Sequence, residues 1–143
     1  MEQETAIIKK EALETNFGGN QSYCSFIPKT QEDKKKLFNT TNKCDVVIND
    51  IVGKEIIVKD VFISEYTRKD KETGAELETK GHRVVLFDTE GKSYITLSNY
   101  FFNSLIKLFG AFGTPDKWTE PITIKITKSQ TKNGGEALGF ELL

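Results

Sequence analysis

Ile122-Thr123-Ile124-Lys125-Ile126-Thr127 is the stretch on which the fold turns. Isoleucine occupies every second position and the residues between are polar, the period of two required of a strand with one buried face. The isoleucines are expected inside, with Thr123, Lys125 and Thr127 outside. Downstream, Asn133-Gly134-Gly135 supplies a turn, after which Leu138, Phe140 and Leu142 alternate again, so two strands form a hairpin. Upstream the period changes. Tyr100, Phe101, Leu105, Leu108, Phe109 and Phe112 largely follow helical spacing, with Ser98 and Asn99 placed to cap the start. Gly110, Gly113 and Pro115 end that helix, and its aromatics are assigned to core packing.

Further upstream, His82 to Phe87 and Lys92 to Leu97 flank Asp88-Thr89-Glu90-Gly91, a short connection with glycine near its end, as in a β-hairpin. The run from Gly53 to Tyr66 holds Ile56-Ile57-Val58 and Val61-Phe62-Ile63, long enough for one curved strand. Between them, Thr67 to Gly81 is charged and contains Thr73-Gly74, which predicts an exposed loop or hairpin tip. The resulting order, β-β-β-α-β-β, predicts a mainly β protein built on a five-stranded OB-type barrel. In that barrel the face of the second and third strands, with the flanking loops, receives oligonucleotides. Residues 45–143 form this domain, and residues 1–44 read as a partly helical N-terminal extension. The extension holds a weakly helical stretch from Ala6 to Leu13, the turn signal Gly18-Gly19-Asn20, and a polar, aromatic stretch from Gln21 to Ile27. Thr30 and Asp33 have the spacing of a helix start ahead of Lys34-Lys35-Lys36-Leu37-Phe38, a short basic helix expected to be solvated.

Composition narrows the function. With 143 residues the chain has enough length for one core, and 20 Lys+Arg against 21 Asp+Glu leave a net charge of −1, so this is no polycation. No apolar run approaches the roughly 20 residues of a membrane helix. Met1-Glu2-Gln3-Glu4-Thr5 is acidic where a secretory signal is basic, and a cytoplasmic location is expected. Cys24 and Cys44 lie outside any CxxC spacing and read as reduced thiols. The lone His82 has no serine and carboxylate arranged with it, and no GxxxxGK[ST] segment occurs. Asp45, Asp50, Asp60 and Asp88 lack ligand spacing and are assigned to solvation and turns. No catalysis, cofactor or metal is expected.

Capturing a single strand requires cations for phosphates and aromatic faces for unpaired bases. Tyr66, Arg68, Lys69, Lys71, Lys80, His82 and Arg83 supply both around the first two strands, diluted by Asp70, Glu72, Glu76 and Glu78. On the third strand Ser93, Ile95 and Leu97 share the side taken as inward. That parity sends Tyr94 outward, beside Lys92, as a stacking candidate. From Ile122 through Gly135 the only charges are Lys125, Lys128 and Lys132. They suit either a phosphate track or an edge strand protected against aggregation. Trp118, leading into the fourth strand, suits either a stacked base or closure of the barrel end.

Lys35-Lys36-Leu37-Phe38-Asn39, Val58-Lys59-Asp60-Val61-Phe62, Arg83-Val84-Val85-Leu86, Phe101-Phe102-Asn103-Ser104-Leu105 and Trp118-Thr119-Glu120-Pro121-Ile122 together carry a resemblance. Over most of residues 22 to 143 the chain resembles the single-stranded DNA-binding proteins of bacteriophages and related elements of Gram-positive bacteria. The resemblance implies coating and protection of strands exposed in replication or recombination, and recruitment of replication or recombination proteins. An RNA-binding OB module and a replication-associated protein-interaction module remain the alternatives.

Overall fold

The computed structural model describes residues 15–17 and 20–143. Along the chain run β1 (Thr15–Phe17), β2 (Asn20–Cys24), α1 (Gln31–Asn42), β3 (Val46–Val47), β4 (Glu55–Lys69), β5 (Glu76–Asp88), β6 (Ser93–Thr96), α2 (Asn99–Phe112), β7 (Ile122–Gln130) and β8 (Glu136–Leu142). The expected helix from Ala6 to Leu13 and the Gly18-Gly19 turn signal lie outside the described residues.

The strands join in one curled, half-barrel sheet of mixed direction in the order β1-β2-β4-β5-β6-β3, with β7 on β4 and β8 on β7. β4 is its spine. One edge of β4 pairs with β5 from Val58 to Lys69, while its other edge holds β7 along Glu55 to Val58 and β2 along Phe62 to Ser64. A register shift between Val58 and Asp60 leaves Lys59 as an extra residue, so Val58 and Val61 both face the main core although three positions apart.

The β-β-β-α-β-β order is present as β4 to β8 with α2. A closed five-stranded ring is not. Among the described residues β8 pairs with β7 alone, and the outer edge of the four-residue β6 is taken by β3 in parallel, Val46 beside Tyr94 and Val47 beside Ile95. Two strands preceding the expected domain, β1 and β2, and one at its very start, β3, extend the same sheet. The charged stretch Thr67 to Gly81 is also mostly strand, with only Asp70 to Ala75 forming the tip. Backbone pairing does not require apolar side chains, and the tip closes through Asp70, whose carboxylate accepts the Glu72 and Thr73 N–H groups.

Local chemistry sets both helices. Thr30 caps α1, its Oγ1 accepting the Asp33 N–H at 3.1 Å, and Ser98 caps α2, its Oγ accepting the Phe101 N–H at 3.2 Å. α2 ends at Gly113, φ 81°, a conformation glycine adopts without a Cβ penalty. Phe101, Leu105, Leu108 and Phe109 of α2 enter the main core with Ile56, Val58, Val61, Ile63, Val84, Leu86, Ile124, Ile126 and Leu138. Tyr100 and Phe112, expected there as well, remain exposed because the covered stripe is centred on Phe101, Leu105 and Phe109.

A second core lies on the outer face. Phe62, Val85 and Phe87 project there, and Leu37 of α1 closes over them with Cys24, Phe26, Cys44 and Ile95. Phe26 meets Phe87 edge-on at 5.7 Å and Lys36 Nζ sits 5.2 Å from the Phe87 ring centre. Both cysteines are free and half-buried, and burial pushes the Cys24 thiol up to about 11.

Candidate nucleic-acid interface

β4 and β5 continue past the core as a two-stranded arm, and most of the expected contacts stand on it. The register sets Ser64 against Arg83, Glu65 against His82, Tyr66 against Gly81 and Thr67 against Lys80. Alternation from buried Phe62 places Ser64, Tyr66 and Arg83 on the outer face, while Glu65, Thr67, Lys80 and His82 share the inner face with Ile63 and Val84. On the outer face Tyr66 lies flat on the sheet. A Cβ added at Gly81 would collide with the Tyr66 ring carbons and hydroxyl, so the glycine is the seat that lets this ring lie down. By register Arg83 is its diagonal neighbour on the same face. The Arg83 Nε is buried with no hydrogen-bond partner. In the sequence Gly81 reads only as the end of the charged stretch. Its signal was a glycine inside a strand, opposite an aromatic.

Across the sheet, His82 stacks on Phe102 of α2 with ring centres 3.8 Å apart and planes 3° from parallel. Its Nε2 is 4.0 Å from Glu65 Oε1. Burial pulls the His82 imidazole below its ordinary 6.5, and Glu65 opposes that pull. Lys80 Nζ donates to Thr67 Oγ1 at 2.9 Å. Arg68 is half-buried and Lys69 exposed at the end of the arm.

Tyr94 requires a correction. It pairs with Leu86 and packs against the main core, whereas Ile95 pairs with Val85 and packs into the second core, so the expected facing of this strand is inverted. Both sides of β6 are covered, and alternation alone had no means of choosing between them. The Tyr94 hydroxyl donates to Asp88 Oδ2 at 2.9 Å; burial, then this bond, push the phenol up to about 12. Asp88 also accepts the Glu90 and Lys92 N–H groups, and Lys92 is exposed beside it. Burial works against the Asp88 carboxylate, yet these bonds outweigh it and hold the group below its ordinary range.

The lysine line on β7 is likewise altered by pairing. Lys128 forms an ion pair with Glu136 at 2.6 Å, and Lys125 sits in register between Glu55 and Glu141. A count along one strand is blind to carboxylates delivered by its neighbours. Lys132 stays exposed in the β7–β8 turn. By register the tips of the two arms lie beyond opposite ends of β4. Trp118 packs edge-on to Phe109 at 6.5 Å, and its Nε1–H donates to Gly113 O at 2.8 Å, seating it at the end of the core.

Asp45 Oδ2 accepts from both the Ser93 N–H and the Ser93 hydroxyl, and Asp60 accepts from the Ser25 hydroxyl. Among the described residues no three His, Cys, Asp or Glu side chains gather as a metal site, and no helix is long and apolar enough to cross a membrane.

No curated protein and no solved structure gives a significant match to the chain. A family model described as "Phage Single-stranded DNA-binding protein" matches residues 19–143, a span that takes in α1, α2 and every strand from β2 to β8. The chain belongs to the phage single-stranded DNA-binding protein family.

Proposed function

We propose that this protein coats and protects single-stranded DNA exposed in phage replication or recombination, largely without sequence preference and without catalysis, in the cytoplasm of the host. β4 to β8 with α2 act as an OB-type unit, residues 1–44 are the extension mounted on it, and replication or recombination proteins are its further partners. The observation that carries this reading is the family match over residues 19–143. The chemistry of the β4–β5 arm supports it: Tyr66 offers a ring to a base while Arg68, Lys69, Lys80 and Arg83 offer cations to phosphates. Lys92, Lys125, Lys128 and Lys132 are secondary phosphate contacts. His82, Tyr94 and Trp118 act mainly by holding this surface in shape.

Titrating the intrinsic Trp and Tyr fluorescence with DNA oligomers of graded length tests the proposal. Single strands are expected to saturate the signal and to outcompete duplex, whose bases are already stacked. Each phosphate contact adds about −0.7 to the log-log salt slope. Tyr66→Ala should weaken binding by about 1–3 kcal/mol. Equal affinity for duplex, or binding indifferent to salt, overturns the proposal, and a matched RNA oligomer that wins the competition transfers it to RNA.

A further inference from the structure

The strand 2–3 face that an OB-type barrel offers to a nucleic acid is covered here. Val85, Phe87 and Ile95 on that face lie beneath Leu37 and Phe26. Whatever approaches this side of the molecule meets α1 instead. Leu37 and Thr40 are buried residues of that helix. Gln31, Lys34, Lys35, Phe38 and Asn39 follow one another at helical offsets of three, four, seven and eight along an exposed stripe, and together they line a shallow open groove. Phe38 is 68% exposed. Among the described residues neither Lys34 nor Lys35 is held in an ion pair, in contrast to Lys128. Carboxylates occur on this helix only in its first turn, at Glu32 and Asp33, off the stripe.

We propose that the Lys34–Lys35–Phe38 stripe of α1 is a second contact for single-stranded DNA, presented by the helix in place of the sheet face it covers. The proposal rests on the single-strand reading above. Two ammonium groups beside an exposed aromatic ring match a phosphate backbone with an unpaired base. They match a protein partner poorly, because lysine is depleted at the centre of protein interfaces. The cations on the stripe also give the near-neutral chain a local positive field where its total charge provides none.

The test compares the full chain with Lys34→Ala/Lys35→Ala, Phe38→Ala and Phe38→Leu, using fluorescence anisotropy of labelled oligothymidylate at several salt concentrations, with Tm as the control for folding. The double lysine variant is expected to reduce the salt slope by about 1.4, two contacts at about 0.7 each. Phe38→Ala is expected to weaken binding about 5- to 150-fold per folded molecule, the folded fraction being read from Tm. Phe38→Leu, which keeps apolar bulk and removes the π-face, should lose affinity as Phe38→Ala does. Wild-type affinity and slope in all three variants overturn the inference while leaving single-strand binding standing, and so does wild-type binding by Phe38→Leu alone. Failure of the unmodified chain to bind any single strand removes both readings together.

Discussion

On its inner face the sheet packs α2 against apolar residues from β2, β4, β5, β7 and β8, whereas on its outer face the cover is α1 with the neighbouring Cys24, Phe26 and Cys44, anchored by Leu37. The inner core is assembled from segments whose own periodicity announces a buried stripe. The outer core is assembled from positions that a one-sided strand leaves to solvent. Phe62, Val85 and Phe87 occupy such positions and are all buried. Their burial is written in another way: Val61-Phe62-Ile63 and Val84-Val85-Leu86-Phe87 are continuous apolar runs, the pattern of strands covered on both faces. The comparison shows that Leu37 of α1, with Cys24, Phe26 and Cys44, completes the sheet's second layer.

Removing the outer cover is the most disruptive way to examine this contrast. A chain beginning at Cys44 loses Leu37, Phe26, Cys24 and β2, and exposes Phe62, Val85, Phe87 and Ile95 as one apolar patch. Burying each large side chain is worth about 1.5–3 kcal/mol, so the loss rivals the roughly 5–15 kcal/mol net stability of an ordinary domain. The truncated chain is expected to aggregate or to melt without cooperativity in calorimetry. A soluble fragment with a sharp transition would make the outer layer dispensable.

Single deletions sharpen the comparison. Ile124→Ala opens a cavity in the inner core and should cost about 2–5 kcal/mol in urea unfolding. Leu37→Ala should fall near the lower end of that range, because α1 has solvent behind it and is able to settle onto the gap. An Ile124→Ala variant less damaged than Leu37→Ala would reverse the assigned ranking of the two layers.

The smallest expected effect is at the rim of the inner face, where His82 stacks on Phe102. His82 is the chain's single histidine, and its folded pKa lies below 6.5. As pH falls through 6.5 the unfolded chain takes up the proton first, so stability declines until the folded value is passed. Tm is therefore expected to drop modestly between pH 7.5 and 5.5. His82→Phe, which keeps a stacked ring and removes the titration, should flatten that part of the profile. An identical slope in the variant would assign the dependence to other groups.

The elements that depend on near neighbours are legible in the residues alone. The alternation of Ile122, Ile124 and Ile126, the caps at Thr30 and Ser98, the stop at Gly113 and the turns at Gly91 and Gly134 each follow from residues within a few positions, where periodicity and backbone preference act. Long-range packing sets which side of β6 holds Tyr94, which carboxylates neighbour Lys125 and Lys128, that Gly81 seats Tyr66, and that α1 lies over the face of β5. These are relations between segments distant in the chain, as in Glu55 beside Lys125 and in the Asp45–Ser93 contact, which ties the start of the 45–143 domain to β6. Parity along a strand divides its residues into two sides, but what covers each side is supplied by other parts of the chain, through pairing register and packing that local pattern does not encode.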